Sequence, residues 1–124
     1  MTILFSGRFD PVHPGHIDTI LKLLQQYDNV LVVILDYFER RFTAKHSEHV
    51  FTQIFSHAGL DHRIEVVINN IHFAKITKKQ ISKYKFDVYG TGNQDVISHM
   101  KKIGVKCVDV PRSFDYSARY YKPG

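Results

Sequence analysis

Two histidines, His13 and His16, lie three residues apart in a loop over residues 7–16, which reads GRFDPVHPGH. Where such a loop opens a helix, both imidazoles can point into one small volume beside the helix N-terminus. The unpaired amides and the dipole of that terminus attract anions, and Gly15 has no side chain to keep a phosphate away. Gly7 allows a tight turn as the chain leaves the preceding strand. These residues are therefore suited to holding phosphate oxygens that gain charge during a reaction.

Eight histidines in one chain make a chance pair at this spacing a real alternative. His46 and His49 have the same spacing, and we interpret them as residues on a helix surface. Imidazole is also a common metal ligand, but neither a cysteine nor a matched carboxylate accompanies His13 and His16. We therefore expect this pair to contact phosphate and not to bind a metal ion.

A second group of small and polar residues follows a predicted strand near residue 90, where the sequence reads GTGN. Glycines after a buried strand allow a base or a ribose to approach the backbone closely. We predict that Gly90, Gly92 and Asn93 contact a nucleotide. The alternative is a plain turn, which paired glycines often mark.

Length and composition restrict the class of protein. The 124 residues suffice for one domain, 1–124, and 44% hydrophobic with 23% charged residues is typical of a globular chain. No apolar run reaches the ~18 residues that a membrane helix requires, and the sequence opens without a basic, cleavable leader. With one cysteine, Cys107, no internal disulfide can form. We expect a cytoplasmic protein with no membrane contact.

Seventeen Lys and Arg against twelve Asp and Glu give a net charge of +5, which favours a phosphorylated partner. The basic residues are spread along the chain, with pairs at Arg40 and Arg41, Lys78 and Lys79, and Lys101 and Lys102. A dedicated nucleic-acid-binding domain more often shows one dense basic stripe. Charge alone therefore leaves a nucleic acid, a nucleotide and a sugar phosphate open. Because the sequence shows no surface motif that combines aromatic with basic residues, we predict no nucleic-acid partner.

The elements that must position these residues alternate along the chain. Apolar, β-rich runs predict five strands, at residues 2–6, 30–35, 63–68, 86–89 and 105–110. Amphipathic stretches predict helices at 15–27, 47–57, 74–83 and 94–103, the second with Ser47 as its N-cap. Strands alternating with helices imply right-handed crossovers. We predict a Rossmann-like three-layer α/β/α fold with a five-stranded parallel sheet, in which ligands bind beyond the carboxyl ends of the strands.

The loop GRFDPVHPGH, placed after an N-terminal strand and opening a helix, resembles the HxGH signature of the cytidylyltransferase-like nucleotidyltransferase superfamily. In that family both histidines contact the phosphates of a nucleoside triphosphate and stabilise the transition state, which implies catalytic roles for His13 and His16. The resemblance also implies nucleotide contacts by Gly7, Arg8, Phe9, Asp10 and Gly15. For Asp10 two roles remain open: it orients a histidine or the substrate, or it stabilises the turn.

The C-terminal sequence PRSFDYS resembles the second signature of the family, RTEGISTT, with FDY in place of EGI. The resemblance implies nucleotide contacts by Arg112, Ser113 and Ser117. An arginine can form paired contacts with a phosphate, and a serine at the start of a helix can bind one too.

The segment over residues 36–45 is basic and follows the second predicted strand. In the family this loop brings a basic residue to the triphosphate or to the phosphate of the acceptor. The candidates here are Arg40, Arg41 and Lys45, and a solvated basic loop is the alternative.

Over the whole chain, the resemblance is greatest to the small glycerol-3-phosphate cytidylyltransferase type. It implies transfer of a nucleotidyl group, with CTP favoured over ATP, to a small phosphorylated alcohol, with release of pyrophosphate. It also implies a homodimer, and Mg²⁺ bridging the phosphates would supply charge that the protein lacks.

Two alternatives remain. The Phe-Asp-Pro sequence at residues 9–11 is commoner among adenylyltransferases of the family, which indicates adenylyl transfer to a mononucleotide or to a pantetheine-type phosphate. The other alternative is of another class, a nucleotide-binding module without catalysis, and the altered C-terminal signature motivates it.

Overall fold

A computed structural model describes residues 1–111 of the chain. Strands β1–β5 span Thr2–Gly7, Asn29–Leu35, Ile64–Asn69, Val88–Thr91 and Cys107–Asp109. Helices α1–α4 span Pro14–Leu23, Ala44–His57, Lys78–Ile81 and Gln94–Lys102, and a 3-10 turn, Phe73–Lys75, precedes α3. None of the helices within residues 1–111 is long and apolar enough to cross a membrane.

All five strands are parallel and lie in the order β3-β2-β1-β4-β5. The central strand β1 pairs with β2 on one side, where Leu4 lies opposite Leu31, and with β4 on the other, where Leu4 lies opposite Tyr89. The chain runs outward from β1 through β2 to β3 and then crosses back to β4. The strand order therefore reverses between β1 and β4, where a ligand crevice is expected. The predicted Rossmann-like parallel sheet is confirmed.

Alternate residues of the strands enter two hydrophobic layers on opposite faces of the sheet. Ile3 and Phe5 of β1 pack in a layer with α1 and α2, whereas Leu4 packs in a layer with the 3-10 turn, α3 and α4. Strand β2 is covered on both faces, which explains why its sequence is continuously apolar from Val30 to Leu35.

Helix α2 begins one turn earlier than predicted. Its N-cap is Thr43, whose Oγ1 accepts a hydrogen bond from the His46 N–H at 3.0 Å. Ser47, the predicted N-cap, is fully buried, and its hydroxyl donates to the Phe9 carbonyl at 2.6 Å. The prediction was wrong because both hydroxyl residues suit an N-cap by type, and the packing of the neighbouring loop decides between them. His46 and His49 are exposed on this helix, as predicted.

The helix predicted over residues 74–83 is divided into the 3-10 turn and the four-residue α3. Each piece has its own N-cap. His72 Nδ1 accepts from the Ala74 N–H at 3.1 Å, and Thr77 forms a capping box with Gln80. Between the pieces Ile76 is extended, with φ of −65° and ψ of 143°, and completely buried. Burial of this side chain, and not helix propensity, sets the backbone there.

Helix α1 ends at Leu23, four residues before the predicted boundary. The guanidinium of Arg63, just before β3, donates to the carbonyls of Leu24, Tyr27 and Asp28 at distances of 2.8 to 3.1 Å. These bonds satisfy carbonyl groups that lack partners where a helix ends. A residue 35 to 39 positions away therefore fixes the end of α1.

Gly90 lies within β4 and not in a loop after it. A Cβ atom on Gly90 would lie 2.6 Å from Val110 Cγ2 and 2.9 Å from Ile3 Cδ1. The absence of a side chain on Gly90 allows Val110 and Ile3 to pack directly against the backbone of β4. Close packing therefore accounts for Gly90, and the predicted ligand contact is not needed to explain it.

We expect Gly90→Ala to lower the free energy of unfolding by about 1–3 kcal/mol, because the added methyl group overpacks the layer. Urea denaturation followed by circular dichroism measures the change. Gln53→Ala, on the exposed side of α2, is the control, with an expected change within about 0.5 kcal/mol. A Gly90→Ala protein of unchanged stability that binds nucleotide poorly would instead support a ligand contact at Gly90.

Candidate active site

Both histidines of the loop after β1 lie at the N-terminus of α1. His13 is the N-cap, with φ of −137° and ψ of 170°, Pro14 takes the first helical position and His16 the third. The two rings stack with their centroids 3.7 Å apart and an angle of 24° between their planes. The structure thus brings together the predicted pair at the carboxyl end of the central strand.

A capping box made of the two histidines fixes the orientation of both rings. The Gly15 N–H donates to His13 Nδ1, and the His13 N–H donates to His16 Nδ1, each at 3.1 Å. Because each Nδ1 accepts a hydrogen bond it carries no proton, and the proton of a neutral imidazole then resides on Nε2. Each ring therefore has its N–H donor on the side opposite its capping bond, and such a donor can bind a phosphate oxygen.

The ring of Phe9 supports His16 from the interior. It is 2% exposed and meets the rings of His16 and Phe51 edge-on, with centroid distances of 4.8 and 4.9 Å. Phe9 has a φ of 48°, a left-handed conformation that is unfavourable for a residue with a side chain and that the surrounding contacts must maintain. A Cβ atom on Gly7 would lie 2.9 Å from this ring, so a larger residue at position 7 would displace the ring. The Phe9 ring is thus a packing element, and a nucleotide contact by Phe9, which would have to involve its backbone, stays a prediction.

Asp10 joins the loop after β1 to the loop after β2. Its carboxylate oxygens accept hydrogen bonds from the backbone N–H groups of Arg41, at 2.8 Å, and Phe42, at 2.7 Å. Desolvation raises the pKa of this carboxyl, but the two N–H donors and the charges of Arg40 and Arg41 outweigh it, so the pKa lies below its ordinary value. The structure therefore gives Asp10 a role that neither sequence interpretation contained, a bridge between two loops.

The guanidinium of Arg40 forms hydrogen bonds with other groups of the protein. Its N–H groups donate to the carbonyls of Phe42, Leu35 and Phe9 and to the Ser47 hydroxyl, at 2.8, 2.9, 3.1 and 3.2 Å. One guanidinium thus links the end of β2, the start of α2 and the loop after β1. A guanidinium has five N–H donors, and four of these are used here. This geometry argues against the predicted phosphate contact by Arg40.

The other basic candidates are exposed at the same edge of the sheet. Arg41 donates through Nη2 to a carbonyl of the loop after β1 at 3.3 Å. Lys45, in the first turn of α2, is 86% exposed and lies 3.9 Å from Glu48 Oε1. Arg8 stacks on the ring of Phe38, with its guanidinium carbon 3.9 Å from the ring centroid. These three cations keep donors directed to solvent and stay candidates for phosphate contacts.

On the other side of β1, the end of β4 leads into α4 through Gly92 and Asn93. Asn93 is the N-cap of α4, since its Oδ1 accepts from the N–H groups of Asp95 at 3.0 Å and Val96 at 3.3 Å. The sequence contained this signal, because an asparagine directly precedes the predicted helix. A Cβ atom on Gly92 would lie 3.1 Å from the Val110 carbonyl oxygen, so packing is tight here as well. Nucleotide contacts by Gly92 and Asn93 stay predictions.

Arg112, Ser113 and Ser117, which we predicted to contact the nucleotide, lie outside the described residues. The described part of the chain ends at Pro111, two residues after β5. The proposed contacts of these three side chains therefore also stay predictions.

The contacts by which residues of α2 hold the loop after β1 in place were not predicted from the sequence. Ser47 donates to the carbonyl of Phe9, 38 positions away along the chain, and Phe51 packs against the Phe9 ring. No local motif marks such partners. The available signal was the four-residue spacing of Ser47, Phe51 and Phe55, which places all three on the buried side of α2.

Comparison with known proteins identifies one family. The model of the cytidylyltransferase-like family matches residues 4–115 of the chain. The nicotinamide-nucleotide adenylyltransferases of Thermococcus onnurineus and Pyrococcus horikoshii are 28% and 30% identical to it over 116 residues, covering 87% of the chain. The nicotinamide-nucleotide adenylyltransferase 1 of Sulfolobus acidocaldarius is 30% identical over 121 residues, 90% of this chain and 69% of its own length. The chain spans 62% of the length of the Thermococcus and Pyrococcus relatives.

Solved structures share the fold. A bifunctional NMN adenylyltransferase/ADP ribose pyrophosphatase from Francisella tularensis, complexed with AMP and a Mn ion, has a TM-score of 0.72 at 17% identity, over 97% of this chain and 39% of that chain. A lipopolysaccharide core biosynthesis protein from Thermoplasma volcanium has a TM-score of 0.65 at 18% identity, over 93% of this chain and 98% of that chain. At such identities the likeness establishes the fold alone.

We expect Asp10→Asn to destabilise the protein at neutral pH, because the amide keeps one acceptor oxygen but turns an NH2 donor toward the second backbone N–H. Since the pKa of the Asp10 carboxyl is lowered, its stabilising effect is fully present above the unfolded-state value of 3.8. The effect is lost as the pH falls through the lower folded-state value. The difference in unfolding free energy between parent and variant should therefore be large at neutral pH and small at acidic pH.

Urea denaturation at about pH 7 and at about pH 2–3 measures this difference. Asp61→Asn, at an exposed carboxylate before β3, is the matched control and should show a small difference at neutral pH. A parent-to-variant difference for Asp10→Asn that stayed constant over this pH range would contradict the bridging role of the carboxylate.

Proposed function

Because the chain belongs to the cytidylyltransferase-like family, we propose that it is a nucleotidyltransferase that transfers an adenylyl group from ATP to the phosphate of a mononucleotide. The observation that carries the proposal is the pair of oriented imidazoles, His13 and His16, at the N-terminus of α1. The chain is shorter than the Thermococcus and Pyrococcus relatives, so the activity is proposed for the domain that contains this pair.

The proposed reaction needs positioning and charge neutralisation, and no protein nucleophile. A phosphate oxygen of the acceptor attacks the α-phosphorus of the triphosphate. The bond between that phosphorus and the oxygen that bridges to the β-phosphorus breaks, and pyrophosphate leaves with the electron pair. The attacking oxygen is already an anion, so no strong base is required.

The two histidines are suited to binding phosphate oxygens that gain charge as pyrophosphate leaves. The capping bonds hold His13 and His16 in fixed orientations, with Nδ1 occupied and the proton on Nε2. Donors oriented in advance need no rearrangement when the charge develops. The dipole of the ten-residue α1 adds positive potential at the same point.

The relatives favour ATP over CTP. The matched relatives named above are nicotinamide-nucleotide adenylyltransferases, so the predicted closeness to glycerol-3-phosphate cytidylyltransferase was wrong and the preference for CTP has no support. The Phe-Asp-Pro sequence at residues 9–11 pointed to adenylyl transfer as well. We therefore adopt the adenylyl alternative, with a nicotinamide nucleotide as the first acceptor to test.

The two substrates would approach from opposite sides of β1. Arg8 and Lys45 are exposed on the β2 side, where they would attract the phosphate of the acceptor. Gly92 and the start of α4 lie on the β4 side, where the base and ribose of ATP would bind. The α-phosphate would then lie between them, at the histidine pair where the strand order reverses.

A divalent cation, which we propose to be Mg²⁺, would neutralise charge on the triphosphate and on the leaving pyrophosphate. Within residues 1–111 there is no group of three His, Cys, Asp or Glu side chains that could hold a metal ion. The donor set of this part of the chain therefore fits a cation carried by the nucleotide phosphates, which is a common mode for Mg²⁺. The homodimer implied by the resemblance stays a prediction.

ATP with Mg²⁺ should raise the melting temperature more than CTP at equal concentration. A ligand stabilises the folded state by RT ln(1 + [L]/Kd), so the nucleotide with the lower Kd gives the larger shift. Differential scanning fluorimetry with ATP, CTP, GTP and UTP measures the shifts. A larger shift with CTP would overturn the adenylyl assignment. Equal shifts would also count against it, since they would mean that only the phosphates are bound.

We expect His16→Ala to lower turnover by ~10²–10³-fold, the usual loss when one oriented donor to a developing charge is removed. The substitution also removes the acceptor of the His13 N–H, so two further variants separate the roles. His16→Asn keeps an acceptor near the Nδ1 position and should lose as much activity as alanine. His16→Gln, whose amide nitrogen reaches the Nε2 position, should keep part of the rate.

Pyrophosphate release from ATP with nicotinamide mononucleotide measures turnover, and circular dichroism confirms folding. His49→Ala is the control, a histidine with the same HxxH spacing that lies exposed on α2, and it should retain parent activity. If His16→Asn turned over like the parent, His16 would act only as a helix cap. If the parent released no pyrophosphate with any triphosphate and acceptor, the chain would be a binding module.

A further inference from the structure

The net positive charge of the described chain is concentrated in one part of the fold. Residues 71–111 contain eight lysines and three aspartates, and neither arginine nor glutamate, which gives a charge of +5. Residues 1–70 contain six Lys and Arg against eight Asp and Glu, which gives −2. The 3-10 turn, α3, β4, α4 and β5 therefore carry the whole excess, while the elements around the histidine pair are slightly acidic.

The fold brings together two lysine pairs that the sequence separates. Lys78 Nζ donates to the Gly104 carbonyl at 3.1 Å. Gly104 lies in the turn after Lys101 and Lys102, the last two residues of α4. Lys79 is the next residue on α3. The start of α3 thus lies beside the end of α4, and the two pairs belong to one surface.

Three more lysines extend this surface along the edge where the strands begin. Lys106 directly precedes β5, and its carbonyl accepts from the Tyr89 N–H of β4 at 2.9 Å. Lys83 and Lys85 lie between α3 and the start of β4. We call the seven residues the lysine surface: Lys78, Lys79, Lys83, Lys85, Lys101, Lys102 and Lys106. Because parallel strands all begin at one edge, this surface lies at the end of the sheet opposite the histidine pair.

The lysines of this surface have no ion-pair partner within the described chain, although Lys85 lines a pocket together with Asp61 and Glu65. All seven lysines are exposed, and none forms an ion pair within residues 1–111. The ion pairs found in that range join Lys22 to Asp18, Lys45 to Glu48 and the N-terminal amine to Asp28. Like charges on one surface repel one another, and an anionic partner would relieve the repulsion.

The chemistry of the surface distinguishes between polyanionic partners. Attachment to an anionic membrane normally adds apolar side chains that insert, but the large exposed hydrophobic residues of the described chain are Met1, Leu21, Phe42 and Ile54, none of them between residues 71 and 111. Ammonium groups act as point charges toward phosphates, without the paired geometry of arginine. We propose that the lysine surface binds the phosphate backbone of a nucleic acid without reading its sequence.

This inference differs from the prediction of no nucleic-acid partner. That prediction depended on the absence of a surface motif that combines aromatic with basic residues, because the spread of the basic pairs along the chain left the partner open. The contact between Lys78 and Gly104 shows that two of those pairs lie on one surface. Because the surface and the histidine pair lie at opposite ends of the sheet, binding of nucleic acid and nucleotidyl transfer should be independent.

Fluorescence anisotropy with fluorescein-labelled single-stranded RNA and duplex DNA, each about 20 nucleotides long and in two unrelated sequences, tests the proposal. If about four phosphates are contacted, affinity should fall roughly 100-fold between 50 and 200 mM salt, equally for both sequences. Lys101→Glu/Lys102→Glu should weaken binding at least ~10-fold and reduce the salt slope by about two. The same variant should release pyrophosphate at the parent rate.

Lys22→Glu/Lys45→Glu changes the net charge equally on α1 and α2, across the sheet, and should keep most of the affinity for nucleic acid. Circular dichroism confirms that both variants are folded. An equal loss in both variants would mean that only net charge matters and would overturn the proposal. The absence of binding to either nucleic acid at about 50 mM salt, or binding to phosphatidylserine vesicles alone, would overturn it as well.

Discussion

The carbonyl oxygen of Phe9 accepts hydrogen bonds from Arg40 Nη2, at 3.1 Å, and from the Ser47 hydroxyl, at 2.6 Å, and the rest of the site depends on these two bonds. They hold a residue whose φ is 48°, and thereby keep its ring against His16. Without them the loop could relax toward the extended backbone that a phenylalanine prefers, and the imidazole would lose its support. Since Arg40 and Ser47 follow β2, the second βα unit shapes the loop of the first.

The two histidines serve the fold and the proposed chemistry with different atoms. Nδ1 of His13 and Nδ1 of His16 complete a capping box, a motif that usually joins a serine or threonine to a glutamate. The three-residue spacing of the pair is the spacing between an N-cap and the third helical position. At this spacing the side chain of each residue can accept a hydrogen bond from a backbone N–H at the start of the helix. The same bonds determine which nitrogen keeps the proton, so helix capping and the orientation of the phosphate-binding donors are one property.

The sheet separates two kinds of positive potential. At its carboxyl edge the donors are few and held by hydrogen bonds, as in the capping bond between Gly15 and His13. Such donors stabilise negative charge at fixed positions, as a reaction at phosphorus requires. At its amino edge the lysine surface consists of exposed ammonium groups that favour anionic phosphate without favouring one arrangement of it. The two proposed activities therefore differ because the donors at the carboxyl edge are preorganised, whereas the lysines at the amino edge act through their charge alone.

The order of strands and helices, the parallel sheet and the position of the histidine pair followed from the sequence alone, because periodicity, capping types and the HxGH spacing are local properties. Whether Thr43 or Ser47 caps α2, and whether Arg40 faces a ligand or the protein, was decided only by the tertiary structure. The deciding partner of Ser47 and Arg40 is Phe9, 38 and 31 positions away. The lysine pairs are likewise joined only where the start of α3 packs beside the turn after α4, at Gly104. Local sequence specifies which groups are available, whereas contacts between distant segments determine where those groups point.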